Sequence, residues 1–308
     1  MPAESDAKIG REKIIGGSDI AAVMGLNRWK SPLHLWALKT GKLVDDPLAN
    51  FEAKEIGTEL EEFVAKKFSR KTGLSVRRAP EEYVNPKYPY MVCHLDRLVL
   101  DGRAVLECKT TSAWNAKEWD GEDIPKEYVL QVMWQLGLTK REVGWIAVLI
   151  GGQKFLYKQI TFDGQLYERM VEEARRFWED FVLTGVAPMA TSSDQEILAF
   201  IYKENQESSR QLTESDEAEL ETLLRDMEEA KHQVDWKQVE VDASEARIKQ
   251  ILGEASKIET LSWNVSWKTQ ERKVADVARL KSDGVFEKYS RTLESRVLRA
   301  EAKKGEQT

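Results

Sequence analysis

The chain predicts an α/β fold: a mixed central sheet flanked by helices, followed by a mainly helical C-terminal extension carrying a few strands. Three observations lead there. Two apolar strand pairs, over 90–111 and 143–160, each bend at a glycine-containing turn. Helical periodicity precedes and separates them, over 51–72 and 125–138. Past Met189–Ser193 the composition turns to Glu-rich helix, which divides the chain into 1–190 and 191–308. Strands interleaved with amphipathic helices build layered α/β sheets, because each helix must bury its apolar stripe on a sheet face.

The opening MPAESDAKIGREK is polar and has no apolar stretch of the signal-peptide kind. Gly16-Gly17 is a flexible turn, and Ser18 is an N-cap for a short helix Asp19–Met24 that Gly25 ends. Such a turn either offers backbone N–H groups to a phosphate or is simply a tight turn. Asn27-Arg28-Trp29-Lys30 is basic around an aromatic ring. That pattern suits a phosphate and a stacked base, or equally a surface loop with Trp29 as an anchor. Ser31-Pro32 starts a second helix that runs to Lys39. Phe51–Thr72 is helical, with Ile56, Leu60, Phe63, Val64 and Phe68 on one face and Glu59 at its border. Leu74–Tyr83 reads as a strand.

Tyr90 to Thr111 reads as a hairpin around Asp101-Gly102, a strong two-residue turn signal. That turn sets Leu100 opposite Arg103 and therefore Asp96 opposite Glu107. Alternation puts Lys109 on the face of Glu107. Directly opposed residues have Cβ atoms ~5 Å apart. Two carboxylates so close need a cation between them, and an all-oxygen set suits Mg²⁺ or Mn²⁺. A cross-strand salt-bridge cluster explains the same residues. The same register sets His94 across from Lys109 and turns the Cys108 thiol to the opposite face.

Trp114 and Trp119 follow, suited to packing or to DNA contact. Pro125–Leu138 is a helix on which Tyr128, Gln131 and Gln135 share a polar-tipped face. Val143–Ile150 and Lys154–Ile160 pair around Gly151-Gly152, and Asp163–Thr184 is an amphipathic helix. In the extension, charged helices over 194–207, 212–234 and 237–252 suggest a helical hairpin or short coiled coil. A strand over 260–269, a helix over 275–280 and a strand over 288–300 come next.

The chain has 308 residues, enough for two domains. It contains no apolar run of the ~18 residues a membrane helix needs. Cys93 and Cys108 are its two cysteines, too few for a disulfide framework or a four-cysteine cluster, and a cytoplasmic location is the default expectation. The net charge of −7 argues against a broadly basic nucleic-acid binder. Residues 1–190 carry 27 Lys+Arg against 28 Asp+Glu, and 191–308 carry 19 against 25. The acidity thus lies in the extension, and any DNA surface must be local.

Asp96 followed by Glu107-Cys108-Lys109 resembles the core of the PD-(D/E)xK nucleases. GGSDIAAVMGLNRWKSPLHLW resembles the opening of one branch, the YqaJ-type viral recombinases, which are lambda-exonuclease-like. The resemblance covers about Arg11 to Ile160. It implies a Mg²⁺ or Mn²⁺ site made by Asp96, Glu107, the Cys108 carbonyl and, from the GTELEE helix, Glu59. It implies Lys109 and Gln131 as catalytic partners, Gln131 matching the glutamine of a Q-x-x-x-Y/Q motif. Arg11 and Ser18 have the spacing of a 5′-phosphate-binding pair, and Arg28, Trp29 and Lys30 are the further candidates for DNA contact. The activity implied is 5′→3′ digestion of double-stranded DNA ends in phage-type recombination. A ring-shaped homotrimer and a single-strand annealing partner are implied with it. An endonuclease or nickase with the same centre, or a non-catalytic DNA-end scaffold, are the alternatives.

Overall fold

A computed structural model of the chain describes residues 10–44, 51–79, 82–99, 103–202, 209–292 and 298. It divides into two compact units, Met1–Lys203 and Glu204–Thr308.

The first unit opens with a one-turn 3₁₀ segment, Arg11–Lys13, then helices α1 (Ile20–Val23), α2 (Pro32–Lys39) and α3 (Phe51–Thr72). Strands β1 (Val76–Arg78), β2 (Tyr83–Val84), β3 (Val92–Cys93), β4 (Arg97–Val99) and β5 (Ala104–Thr111) follow. Then come a 3₁₀ segment Ala113–Trp119, helix α4 (Lys126–Thr139), strands β6 (Val143–Ile150) and β7 (Lys154–Thr161), and α5 (Gly164–Arg176). A π-type turn, Phe177–Val182, prolongs α5, and α6 (Gln195–Ile201) closes the unit.

Five strands form a mixed sheet in the order β1-β4-β5-β6-β7. β4 and β5 are antiparallel, with Arg97 opposite Leu106 and Val99 opposite Ala104. Carried one residue further, this register sets Asp96 against Glu107, as the hairpin reading requires. The Asp101-Gly102 turn itself lies outside the described residues. β5 and β6 are parallel along all eight residues, and β6 returns antiparallel into β7. Gly151 and Gly152 make that turn with φ of 56° and 72°, a region glycine enters without steric cost.

The expected strand over 74–83 divides in two. β1 joins the main sheet, whereas β2 pairs with β3 in a separate ribbon.

β5 is apolar because helices cover both its faces. Ala104, Leu106 and Cys108 pack with Val64, Ala65 and Phe68 of α3. Val105 packs on the other side with Val132, Met133 and Leu136 of α4. Burying a side chain such as Phe68 contributes ~1.5–3 kcal/mol. Gly144 lets α4 lie close to the sheet: a Cβ there would stand 2.4 Å from Val132 Cγ1.

The face of α3 differs from the expected one. Ile56 and Phe63 are 46% and 45% exposed, while Val64 and Phe68 are fully buried. A Cβ on Gly57 would face Thr110 of β5. The stripe turned towards the sheet therefore runs through Gly57, Glu61, Val64 and Phe68, of which the last two are buried. At ~100° per residue, Glu59 stands ~140° around the helix from Val64.

Asp194 extends the first unit past the 190/191 boundary. It is 1% exposed, and it accepts hydrogen bonds from the Thr191 N–H and hydroxyl, each 2.7 Å, and from Ser31 Oγ. Ser31 in turn caps α2 by accepting from the His34 N–H at 2.9 Å.

In the second unit, α7 (Glu214–Leu252) is one continuous helix of 39 residues, so the separate helices expected over 212–234 and 237–252 are corrected to one. Asp235-Trp236 between the two expected halves contains neither glycine nor proline, and nothing breaks the hydrogen-bond ladder there. β8 (Lys257–Glu259) and β9 (Asn264–Ser266) form a small antiparallel ribbon, followed by α8 (Val277–Ser282) and α9 (Phe286–Tyr289). The expected strand over 288–300 begins inside α9, and most of its remainder lies outside the described residues.

Candidate active site

The site lies where β4 and β5 meet the flank of α4. Glu107 is 2% exposed although it is a carboxylate. A buried charge needs partners, and it has three. Lys109 Nζ lies 2.6 Å from Oε1. Gln131 Nε2 donates to the same oxygen at 2.6 Å, and Gln135 Nε2 donates to Oε2 at 2.6 Å. The two glutamines are four residues apart on α4, so they project from adjacent turns of one face. Gln135 is 2% exposed and leaves its Oε1 buried without a hydrogen-bond partner.

Asp96 accepts a 2.7 Å hydrogen bond at Oδ2 from the Cys108 N–H, which pins its side chain across to β5. Burial, and then the charge of Glu107, hold its carboxyl well above the ordinary range; Lys109 and the Cys108 N–H oppose them. Burial also raises the Glu61 carboxyl, against Arg97, with Glu107 adding to the rise. Three carboxylates from α3, from the start of β4 and from β5 thus feel one another. Burial pulls the Lys109 ammonium down, but Glu107 and Asp96 outweigh it and lift it above its usual value. Its Nζ also lies 5.3 Å from the centre of the Tyr128 ring. Tyr128 stacks on Trp119 at 5.6 Å.

The remaining candidates fall in distinct places. Gly17 packs against α4, where a Cβ would stand 3.3 Å from Gln131 Cγ. The GGS turn therefore touches the residue that holds Glu107. Backbone bonds from Ile15 N to Tyr90 O and from Val92 N to Ile15 O, 2.6 and 3.0 Å, fasten it there. Ser18 is exposed and Asp19 takes the N-cap position. The Asp19 carboxylate folds back onto the Gly16 N–H at 3.1 Å and onto Lys39 Nζ at 2.7 Å. Arg11 is exposed, and its carbonyl accepts from Lys39 Nζ at 2.8 Å, so Lys39 links the two.

Arg28 is committed within the protein. It is bonded to both oxygens of Glu118 and, at 2.7 Å, to Glu127 Oε1, and it lies over the Trp29 ring at 4.6 Å. Trp29 is 59% exposed, so it is not a core anchor, and Lys30 is half-buried. His94 turns to Glu82, 3.0 Å away.

Glu59 is exposed on the far side of α3, and Glu61 is the helix acid that senses Asp96 and Glu107. Sequence reading favoured Glu59 because it ran the apolar stripe through Ile56 and Phe63, both of which are exposed. It set Gln135 on the right face without giving it a role; the signal was its four-residue spacing from Gln131.

The YqaJ-like viral recombinase domain family matches residues 9–142. The uncharacterized protein YqaJ of Bacillus subtilis (strain 168) is 35% identical over 290 residues, spanning 92% of this chain and 89% of the relative. The chain belongs to the YqaJ-like viral recombinase family. Among solved structures, an alkaline exonuclease, LHK-Exo, from Laribacter hongkongensis is 18% identical, with a TM-score of 0.48 over 57% of this chain and 91% of that one. A phage-related exonuclease from Haemophilus somnus 129PT is 15% identical, with a TM-score of 0.38 over 56% and 96%. In this YqaJ-like chain, no helix among the described residues is long and apolar enough to cross a membrane.

Among the described residues no three His, Cys, Asp or Glu side chains form a ready-made metal cage. Glu107 instead spends both oxygens on Lys109, Gln131 and Gln135. The donor set nevertheless fits a hard divalent cation. It is all oxygen, with the buried Glu107 carboxylate opposed by the half-buried Asp96, and their mutual repulsion is what a cation relieves.

Proposed function

We propose that this chain is a divalent-metal-dependent DNA exonuclease acting on double-stranded ends in phage-type recombination. The observation that carries the reading is the Asp96–Glu107–Lys109 patch around the buried Glu107 carboxylate, braced by Gln131 and Gln135, in a chain of the YqaJ-like viral recombinase family. Asp96, Glu107 and the Cys108 carbonyl would hold Mg²⁺ or Mn²⁺, with Glu61 as the helix acid in place of Glu59. When bound, the ion supplies Lewis-acid charge at the scissile phosphate.

The protein's own groups do the rest. Gln131 and Gln135 fix the Glu107 carboxylate in one orientation. Lys109, its ammonium kept charged by its neighbours, orients a water and offsets negative charge as the phosphodiester is attacked. Tyr128 and Trp119 wall one side of it. The GGS turn, touching Gln131, brings Ser18 near the DNA end. Polarity of 5′→3′, a homotrimeric ring, a single-strand annealing partner and a cytoplasmic setting are proposed on the family resemblance. Arg28, occupied by Glu118 and Glu127, acts as a brace between its loop, the 113–119 segment and α4.

Linear duplex and a closed circle incubated in parallel, with Mg²⁺ or EDTA, test this. Loss of the linear DNA with Mg²⁺ and survival of the circle is the expected result. A cut circle would favour an endonuclease, and DNA bound but intact in every tube would favour a scaffold.

A further inference from the structure

The segment Ala113–Trp119, directly after β5, is a seven-residue 3₁₀ helix. With three residues per turn, side chains three apart lie above one another along one edge. Two of its three edges are spoken for. Ala116 packs on the core, and Trp119 is 2% exposed beneath Tyr128. Asn115 donates to Thr111 Oγ1 at 3.0 Å, and Glu118 is bonded to Arg28. The third edge carries Trp114 and Lys117. Trp114 is 94% exposed, the most exposed tryptophan among the described residues. Lys117 is exposed and has no ion pair among the described residues. The Trp114 indole, solvated on a segment held at both other edges, has no packing role and leaves its face open to a ligand.

We propose that Trp114 and Lys117 form a binding element for single-stranded DNA at the rim of the site, the indole stacking on an unpaired base and the ammonium meeting the adjoining phosphate. An aromatic face beside a cation binds single strands with little sequence preference, because every base has a π-face. The segment leaves β5 two residues after Lys109, so the element sits beside the reacting end and would hold a strand peeled from the duplex. This inference rests on the DNA reading above.

The test is equilibrium binding of a fluorescein-labelled oligothymidylate to the full chain in EDTA, where no metal-dependent cleavage occurs. Trp114→Ala should weaken binding by about 5- to 150-fold, the range for one lost stacked base, and Trp114→Tyr should restore most of it. Lys117→Ala should flatten the salt dependence by close to one phosphate contact. Trp236→Ala, removing an exposed tryptophan of α7, should leave binding unchanged. Equal affinity of Trp114→Ala and wild type, or no binding of the oligonucleotide by wild type, would overturn the proposal. The two readings separate cleanly. A chain that digests duplex DNA but ignores the oligonucleotide keeps the nuclease and loses the stacking element. A chain that binds through Trp114 but digests nothing does the reverse.

Discussion

Replacing Lys109 with alanine separates a catalytic centre from a salt-bridge cluster. Lys109 Nζ sits 2.6 Å from Glu107 Oε1, and Glu107 is 2% exposed. Two consequences follow. The first is catalytic: removing one preorganised group that offsets transition-state charge typically costs 10²–10³ in kcat. The second is electrostatic. Without the ammonium, Asp96 and Glu107, on Cβ atoms ~5 Å apart, lose the charge that offsets their mutual repulsion, which is on the order of 3 kcal/mol for charges at that spacing and an effective dielectric of ~20. The variant should therefore melt below wild type in EDTA, and Mg²⁺ should raise its Tm by more than it raises that of wild type. Initial rates of duplex digestion and melting curves with and without Mg²⁺ give both readings. Activity within threefold of wild type would refute the catalytic role, and a Tm insensitive to Mg²⁺ in both proteins would refute the carboxylate argument.

Three further outcomes follow from particular contacts. Glu61→Gln should lower activity about 10- to 100-fold, whereas Glu59→Gln, on the exposed side of α3, should stay within about twofold; equal losses in a steady-state assay would contradict the assignment. Asp194→Ala in the full chain removes three hydrogen bonds to a buried carboxylate, and should cost ~3 kcal/mol and lower the Tm of the first unit by about 6–12 °C; an unchanged melting curve would show the cap to be dispensable. Burial pushes the Cys93 thiol up to about 12 and holds Cys108 well above its usual value. At pH 8 the Cys93 thiolate fraction is about 10⁻⁴, so iodoacetamide should leave the native chain unmodified and alkylate both thiols in denaturant, as intact mass will show.

The parts of the site that were legible are those a local rule controls. A two-residue turn leaves one register for its arms, so Asp96 and Glu107 could be set opposite each other from the sequence, and β4 and β5 pair in that register. Alternation then placed Lys109. The Gln131 face of α4 followed from helical periodicity. Rules failed where two patterns compete. On α3, Ile56 and Phe63 made an apolar stripe as good as the real one, and a glycine at 57 gave no hydrophobic signal although it faces the sheet. The helix phase was therefore misjudged, which set Glu59 beside the sheet-facing side when it is exposed. Arg28 looked like a free phosphate ligand because its partners, Glu118 and Glu127, stand about ninety and a hundred residues away in sequence. Asp194 was equally invisible, since its role depends on Ser31, 163 residues earlier. In the second unit the stretches 212–234 and 237–252 were read as separate helices, although no breaker stands between these halves of α7.

The account stands on the carboxylate patch being a metal centre, and Mn²⁺ titration read by the electron paramagnetic resonance of the free ion tests that without reference to DNA. Wild type should take up Mn²⁺ saturably, and Asp96→Asn, which keeps the size of the side chain and removes its charge, should bind at least about tenfold more weakly. Identical free-ion curves for the two proteins would mean that Asp96, Glu107 and Lys109 form a salt-bridge cluster and no metal site.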